Sequence, residues 1–410
     1  MSLAIPDEFL WGACTAGHQV EGQDVNSDWW WFEHLAGSPM TEPSGDACDS
    51  LHRYPEDIAI CRDLGLTAYR FSIEWSRIEP ADGEFSRGAL DHYRRVLELC
   101  ESAGLVPVVT FQHCSLPNWV GLRGGWLWEH TAERFQRFCD HAARYLGRHL
   151  GYVVTLTEPD VIANLGYRYG GFPGTHVPDA PLRAGDEAAE RAAENLARAH
   201  VLGRDAIRQV APAARVGMSL ATVEWGCSPG YEEQLKALQR QWEGDFFDVT
   251  AGDDYFGVAS YTRLWAGPEG SPDELPDGAP PVPMFLDYPP GTRRTSVGYE
   301  FRPESVEAAI RRAREKTGLP ILVTETGVAT ADDRERVEWI DRSVAAVGRC
   351  LADGIDIRGY FYRSLLDDFE WGRGYAMRFG LVEVDRQTFE RRLKPSARLL
   401  GEYATGKRTR

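Results

Sequence analysis

The chain has 410 residues, 43% hydrophobic and 26% charged, the balance of a globular protein with a sizeable core. A formal charge of −17 opposes nucleic acid or an anionic membrane surface as a partner. No run approaches the roughly 18–20 apolar residues of a membrane span, and residues 1–8 carry no basic region followed by a long apolar one, so no signal peptide is visible and a cytoplasmic location is expected.

In chain order, β-rich apolar runs alternate with amphipathic stretches. A strand at Phe9–Thr15 precedes a helix near 55–64, Ala68–Trp75 precedes 88–103, and Val106–His113 precedes 131–147. Val153–Glu158 is followed by 186–208, Arg215–Thr222 by 231–243, and Tyr255–Tyr261 by 303–316. Ile321–Glu325 leads to 333–352, and Gly359–Leu365 to 395–404. Apolar residues three and four apart, such as Tyr93, Val96, Leu97 and Cys100, mark the helices. Eight strand-helix units predict an α/β fold, a single (β/α)8 TIM barrel over residues 1–410. The Gly/Pro-rich stretches Gly166–Leu182 and Trp265–Gly298 each follow a strand and read as rim loops. The run Trp29-Trp30-Trp31 reads as a packing anchor beneath the first rim loop. Eight cysteines show no Cys-x-x-Cys spacing, so reduced thiols are expected and a zinc site is not.

Two glutamates carry the chemistry. Glu158 ends Val153-Val154-Thr155-Leu156-Thr157-Glu158-Pro159, and Glu325 ends Ile321-Leu322-Val323-Thr324-Glu325 before Thr326-Gly327. Both fall at C-terminal strand ends, the rim on which barrels of this kind build their sites. Paired carboxylates there are the apparatus of glycoside hydrolysis. Singly, either could cap a turn, His113 could be a satisfied buried histidine, Trp371 core, and Arg70 an interior salt bridge.

Further motifs join them: Phe9-Leu10-Trp11-Gly12-Ala13 running to Gln19-Val20-Glu21-Gly22, Tyr69-Arg70-Phe71-Ser72-Ile73-Glu74-Trp75, and His113 with Leu116-Pro117. Near the C-terminus stand Leu365-Leu366-Asp367-Asp368-Phe369-Glu370-Trp371 and Arg378-Phe379-Gly380. Taken in this order over nearly the whole chain, they resemble glycoside hydrolase family 1, the β-glucosidase-like retaining enzymes. The chain is somewhat short for that family, which implies trimmed rim loops. The resemblance implies Glu158 as acid/base, Glu325 as nucleophile, Arg70 as the cation keeping Glu325 charged, and Tyr261 as its hydrogen-bond donor. It implies Gln19, His113, Glu370 and Trp371 as holders of the sugar 3-, 4- and 6-hydroxyls, and a cis peptide at Arg363–Ser364. A small-molecule glycoside is the implied partner; no metal and no cofactor are implied.

Six positions depart from the family pattern. Thr157 and Ala259 replace asparagines on the side of the sugar C2 and the leaving group. Cys114 stands for a Trp, and Thr326 for the Asn after the nucleophile. Arg363 takes the place of the aromatic floor, and Asp160 that of a leaving-group platform. Thr157 can still donate one bond to a 2-hydroxyl, from a shorter reach. Arg363 either meets an anionic substrate group or pairs internally with Asp160 or Glu370, the latter favoured because unpaired buried charge is costly. These changes predict an atypical glycone, deoxygenated or substituted at C2 or otherwise decorated. The alternative is a tailoring enzyme of secondary metabolism, performing transglycosylation or other acid/base chemistry on a glycosylated natural product. A bias to arginine, with lysine only at 236, 316, 394 and 407, fits a GC-rich bacterial source for such a pathway. A sugar binder on a retired barrel is opposed by retention of both glutamates, Arg70 and Tyr261.

Overall fold

The computed structural model describes residues 5–178, 180–267 and 288–408. Most of the expected rim loop Trp265–Gly298 therefore lies outside the described residues. Eight parallel strands close in chain order into a barrel: β1 Leu10–Cys14, β2 Ala68–Ser72, β3 Val106–His113, β4 Tyr152–Thr157, β5 Arg215–Ala221, β6 Tyr255–Ala259, β7 Ile321–Thr326 and β8 Ile357–Arg363. Closure is made between β1 and β8, in register from Leu10 opposite Gly359 to Cys14 opposite Arg363. Strands buried on both faces need continuous apolar runs, which is why Val106–Phe111 is apolar almost throughout rather than alternating.

Around the barrel pack α1 Ser50–Asp63, α2 Arg87–Ser102, α3 Thr131–Leu146, α4 Asp186–Val210, α5 Glu232–Glu243, α6 Ser305–Thr317, α7 Asp333–Ala352 and α8 Pro395–Ala404. In α2 the Ser86 hydroxyl accepts from the Ala89 N–H and caps the first turn. Leu90, Tyr93, Val96, Leu97 and Cys100 form its buried stripe. Each large apolar side chain buried this way contributes about 1.5–3 kcal/mol.

The lumen is divided along its axis. Leu10, Ala68, Val108, Val154, Tyr255, Leu322 and Phe361, from seven of the eight strands, pack together as an apolar plug toward the strand beginnings. Past this plug the interior turns polar, with Arg70, Thr157, Ser219, Thr324 and Glu325 buried toward the strand ends. The plug thus leaves one mouth of the barrel for chemistry.

Several boundaries differ from expectation. β2 stops at Ser72, and Trp75–Ile78 forms a helical turn instead of continuing the strand. β4 stops at Thr157, because Glu158 adopts φ 51°, ψ 50°. The expected loop from Gly166 begins inside a π-helical segment, Ile162–Arg168. Two small sheets were not anticipated: Glu224–Cys227 paired parallel with Arg263–Ala266, and Val382–Val384 antiparallel to Arg391–Leu393. Among the described residues, no helix is long and apolar enough to cross a membrane. All eight cysteines are free.

Candidate active site

The open mouth holds a cavity of about 440 Å³. Glu325, next to last in β7, is buried in its wall. One carboxylate oxygen accepts from Arg70 Nη1, and the other from the Tyr261 hydroxyl. Burial alone would raise its pKa. The charge of Arg70, its hydrogen bond to the carboxylate and the charge of Arg363 are among the contributions that together outweigh burial and hold the carboxyl at about 2. Arg70 is fixed in turn: Nη1 also donates to the Thr324 carbonyl at 3.3 Å, and Nη2 to Thr157 Oγ1 at 2.6 Å. The strand end fits because Gly327 has no side chain, since a Cβ there would lie 1.9 Å from the Arg363 carbonyl oxygen.

Glu158 lines the same cavity. Its left-handed backbone is uncommon for a non-glycine residue. The turn is held by its N–H donating to the Ser219 carbonyl at 2.8 Å and its carbonyl accepting from Ile162 at 3.0 Å. The carboxyl has no hydrogen-bond or ion-pair partner among the described residues. Part of the side chain opens to the cavity, yet the carboxyl lies deep in the mouth. Burial first, then the negative charge of Glu325, push its pKa well above the ordinary carboxylate range. The two environments therefore drive the two carboxyls apart, Glu325 toward the ionised form and Glu158 toward the protonated one.

The same cavity is also lined by Gln19, His113, Arg363, Glu370 and Trp371. Gln19 Nε2 donates to the Phe369 carbonyl at 2.7 Å and to Glu370 at 3.3 Å, which leaves its buried Oε1 without a partner. His113 Nδ1 is likewise buried and unpartnered. Burial, reinforced by nearby arginine charge, pulls the His113 pKa down to about 3, so the ring is neutral. An unpaired acceptor and a neutral imidazole, converging on one space, suit the hydroxyls of a sugar. Arg363 donates from Nη2 to Glu370 at 2.8 Å and from Nη1 to Asp368 at 3.2 Å, with Phe379 under its guanidinium at 5.0 Å. The Arg363–Ser364 peptide is cis.

The family model for glycosyl hydrolase family 1 matches the chain in two overlapping segments, residues 1–255 and 243–409. The chain belongs to this family. It is a glycoside hydrolase. It is 31% identical to a β-glucosidase of an Agrobacterium species, across 99% of this chain and 96% of the relative. A β-glucosidase A of Thermotoga maritima is 30% identical, covering 95% of each chain. Among solved structures, a β-glycosidase crystal structure superposes with a TM-score of 0.90 at 41% identity, over 98% of this chain and 97% of that one. A β-glycosidase from Pyrococcus horikoshii gives 0.87 at 30% identity, over 100% and 97%.

Within this family 1 site, two sequence expectations need correction. Thr157 does not line the cavity; it is fully buried, and its hydroxyl oxygen takes the Arg70 bond instead of facing substrate. Asp160 does not line the cavity either. Its carboxylate accepts from the Ala221 N–H at 3.2 Å, and burial raises its pKa to about 7. Asp160 is thus no partner of Arg363; Glu370 is one, and Asp368 is the second, which spacing alone did not reveal. Also missed was His18, stacked flat under Trp371 with ring centroids 5.8 Å apart. Burial opposes its charge, but Asp24 and Glu33 outweigh it and raise its pKa to about 10. The indole of Trp371 therefore rests on an imidazolium that Glu33 holds at 2.8 Å, and on Trp29 at 4.6 Å. Trp29 serves as the expected anchor and also touches the cavity.

Replacing Arg363 with Met strands two carboxylates that its guanidinium now satisfies. Breaking a buried pair from one side costs several kcal/mol. Urea unfolding of the R363M variant is expected to show a loss of about 3 kcal/mol, and an unchanged midpoint would show that the pairing is idle.

Proposed function

We propose that the protein is a retaining β-glycosidase, built as one barrel domain, that cleaves β-glucoside-like substrates through a covalent intermediate on Glu325. The carrying observation is the asymmetry of the two acids: Glu325 is paired with Arg70 and Tyr261 and pushed down in pKa, while Glu158 lines the same cavity without a partner among the described residues and is pushed up. Such a pair divides the labour of glycoside cleavage. Glu158 gives its proton to the leaving oxygen while Glu325 bonds to C1. Glu158, now ionised, then takes a proton from water as that water displaces Glu325. The Gln19 oxygen, neutral His113 and Glu370 orient the glycone, and Trp371 covers it. Retention requires the two carboxyls about 5–5.5 Å apart. The names of the relatives, β-glucosidases and β-glycosidases, support a β-linked glycone.

The glycone has a finer feature. Hydrogen bonds to the 2-hydroxyl supply several kcal/mol in ordinary retaining enzymes. Here Thr157 lies outside the cavity lining, its hydroxyl oxygen accepting from Arg70, and Ala259, in the cavity wall, offers no polar side-chain atom. The site therefore gains little from a 2-hydroxyl and tolerates a sugar deoxygenated or substituted there. One experiment addresses both statements: proton NMR of hydrolysis of 4-nitrophenyl β-glucoside and its 2-deoxy analogue. The β-anomer is expected to appear first, and kcat/KM for the deoxy substrate should stay within about tenfold of the parent, a gap of about 1.4 kcal/mol. An α-anomer released first would exclude the retaining mechanism. A penalty of about a thousandfold would exclude the C2 reading.

A further inference from the structure

The cavity has two chemically different halves. Gln19 stands on the helical turn Gly17–Val20 after β1, His113 and Arg363 end β3 and β8, and Glu370 lies in the segment after β8. The other half lies on the Glu158 side. Val161 and Leu165 stand on the helical segments that start directly after Glu158. Val223 and Trp225 follow β5, the strand paired with β4, while Leu264 lies on the short strand paired with that of Trp225. Trp242 of α5 completes this wall.

Among the described residues on this side, Trp225, Tyr169 and Asp160 engage their polar atoms with protein partners. The Trp225 indole N–H donates to Glu243 Oε1 at 2.9 Å, and Arg312 Nε holds the same oxygen at 2.5 Å. Tyr169, beside the wall, accepts on its hydroxyl from Gln241 Nε2 at 3.3 Å. Asp160, two residues past Glu158, is spent on the Ala221 N–H. Among the described residues of this wall, Val161, Leu165, Val223, Trp225, Trp242 and Leu264 offer the cavity ring surface and aliphatic side chain.

A leaving group must lie beside the acid that protonates it, so this wall receives the aglycone. Sugar hydroxyls placed there would lose water without gaining partners, at about 1–3 kcal/mol for each one buried. Apolar surface gains about 25 cal/mol for each Å² withdrawn from water. We infer that the leaving-group half selects an apolar aglycone, an aromatic or long-chain alcohol, over a second sugar, with Trp225, Val223 and Leu165 as specificity-determining residues. This rests on the retaining-glycosidase reading, since it places the aglycone by reference to Glu158. The bond broken is C1–O to that alcohol. Glu158 supplies the proton, Glu325 takes C1, and water restores both groups, so no other reactant is needed.

The test uses two substrates with the same glycone and unactivated leaving oxygens, octyl β-glucoside and cellobiose. The octyl compound is expected to have the higher kcat/KM by at least about tenfold, and V223N should narrow that ratio by weakening the octyl arm. A ratio of one, or a preference for cellobiose, overturns the inference. Binding is read separately on the unmodified protein by tryptophan fluorescence, with the non-hydrolysed S-linked pair, octyl 1-thio-β-glucoside and thiocellobiose. Tighter binding of the octyl thioglucoside supports the apolar wall even if neither O-glycoside is cleaved, a result that would sink the hydrolytic reading alone. Equal or reversed binding overturns the wall itself.

Discussion

Replacing Glu325 with alanine is expected to lower kcat on 4-nitrophenyl β-glucoside by about 10⁴–10⁶-fold, the scale on which loss of a covalent nucleophile is felt. Among the described residues, the carboxylate is the only group that Arg70 and Tyr261 jointly hold, so no described neighbour can substitute for it. Truncation also leaves a space the size of a small anion, lined by those same donors. Azide should enter that space and attack C1 from the face Glu325 used, giving an α-glycosyl azide from a β-glycoside. Such rescue separates chemistry from folding, because an unfolded chain cannot be rescued. Truncation leaves the buried Arg70 charge uncompensated, at a stability cost of about 3–5 kcal/mol, so the assay belongs well below the unfolding temperature. A folded E325A protein with near-normal kcat, or one whose azide product has the β configuration, would remove Glu325 from the nucleophile's role.

The barrel was legible because strand-helix alternation is a long-range pattern, repeated eight times, that no single misplaced residue can hide. α8 at 395–404 and β3 at 106–113 fall where periodicity puts them. The errors gather at the mouth. Glu158 and Trp75 are apolar-run neighbours in sequence, yet each sits just past its strand, in a backbone shape set by tertiary hydrogen bonds and not by its own propensity. The site was legible where the family resemblance implied a pairing, as of Arg70 with Glu325, whose side chains meet. It was not legible where a side chain could turn either way. Thr157 ends β4 and Asp160 comes just after it, on either side of the acid, but one turns into the lumen toward Arg70 and the other toward the end of β5. Arg363 shows the middle case: the cost of buried charge predicted an internal partner and named Glu370, but the second acid, Asp368, depends on how the chain curls after the strand. The apolar aglycone wall had no sequence signal at all, because its residues come from four separate segments with no shared spacing.

Replacing Glu158 with alanine should produce a different defect from that of E325A, and the difference follows from the charge coupling between the two acids. For an alkyl glucoside, whose oxygen cannot leave without a proton, kcat/KM is expected to fall by about 10²–10⁴-fold. A 2,4-dinitrophenyl glucoside leaves as a stable anion, so its kcat/KM should change little. Its kcat should still fall, because the glycosyl-enzyme then waits for a water that no base activates, and KM should fall with it. Azide, a nucleophile needing no base, should restore kcat and give the β-glycosyl azide, opposite in configuration to the E325A product. The pH profile supplies a second check. The native enzyme needs Glu158 protonated, so activity holds below its raised pKa and is lost as pH climbs through it, while Glu325, held at about 2, limits activity only at strongly acidic pH. E158A should therefore lose the alkaline limb on the dinitrophenyl substrate and keep the acid one. The proton on Glu158 is retained by burial and by the charge of Glu325, and esterification of Glu325 removes that charge. The carboxyl that was an acid in the first step becomes more acidic, ionises, and is ready to serve as base in the second. Titration of Glu158 in the enzyme trapped as its glycosyl ester should accordingly give a lower pKa than the alkaline limb of the free enzyme, and an unchanged value would disconnect the two carboxyls.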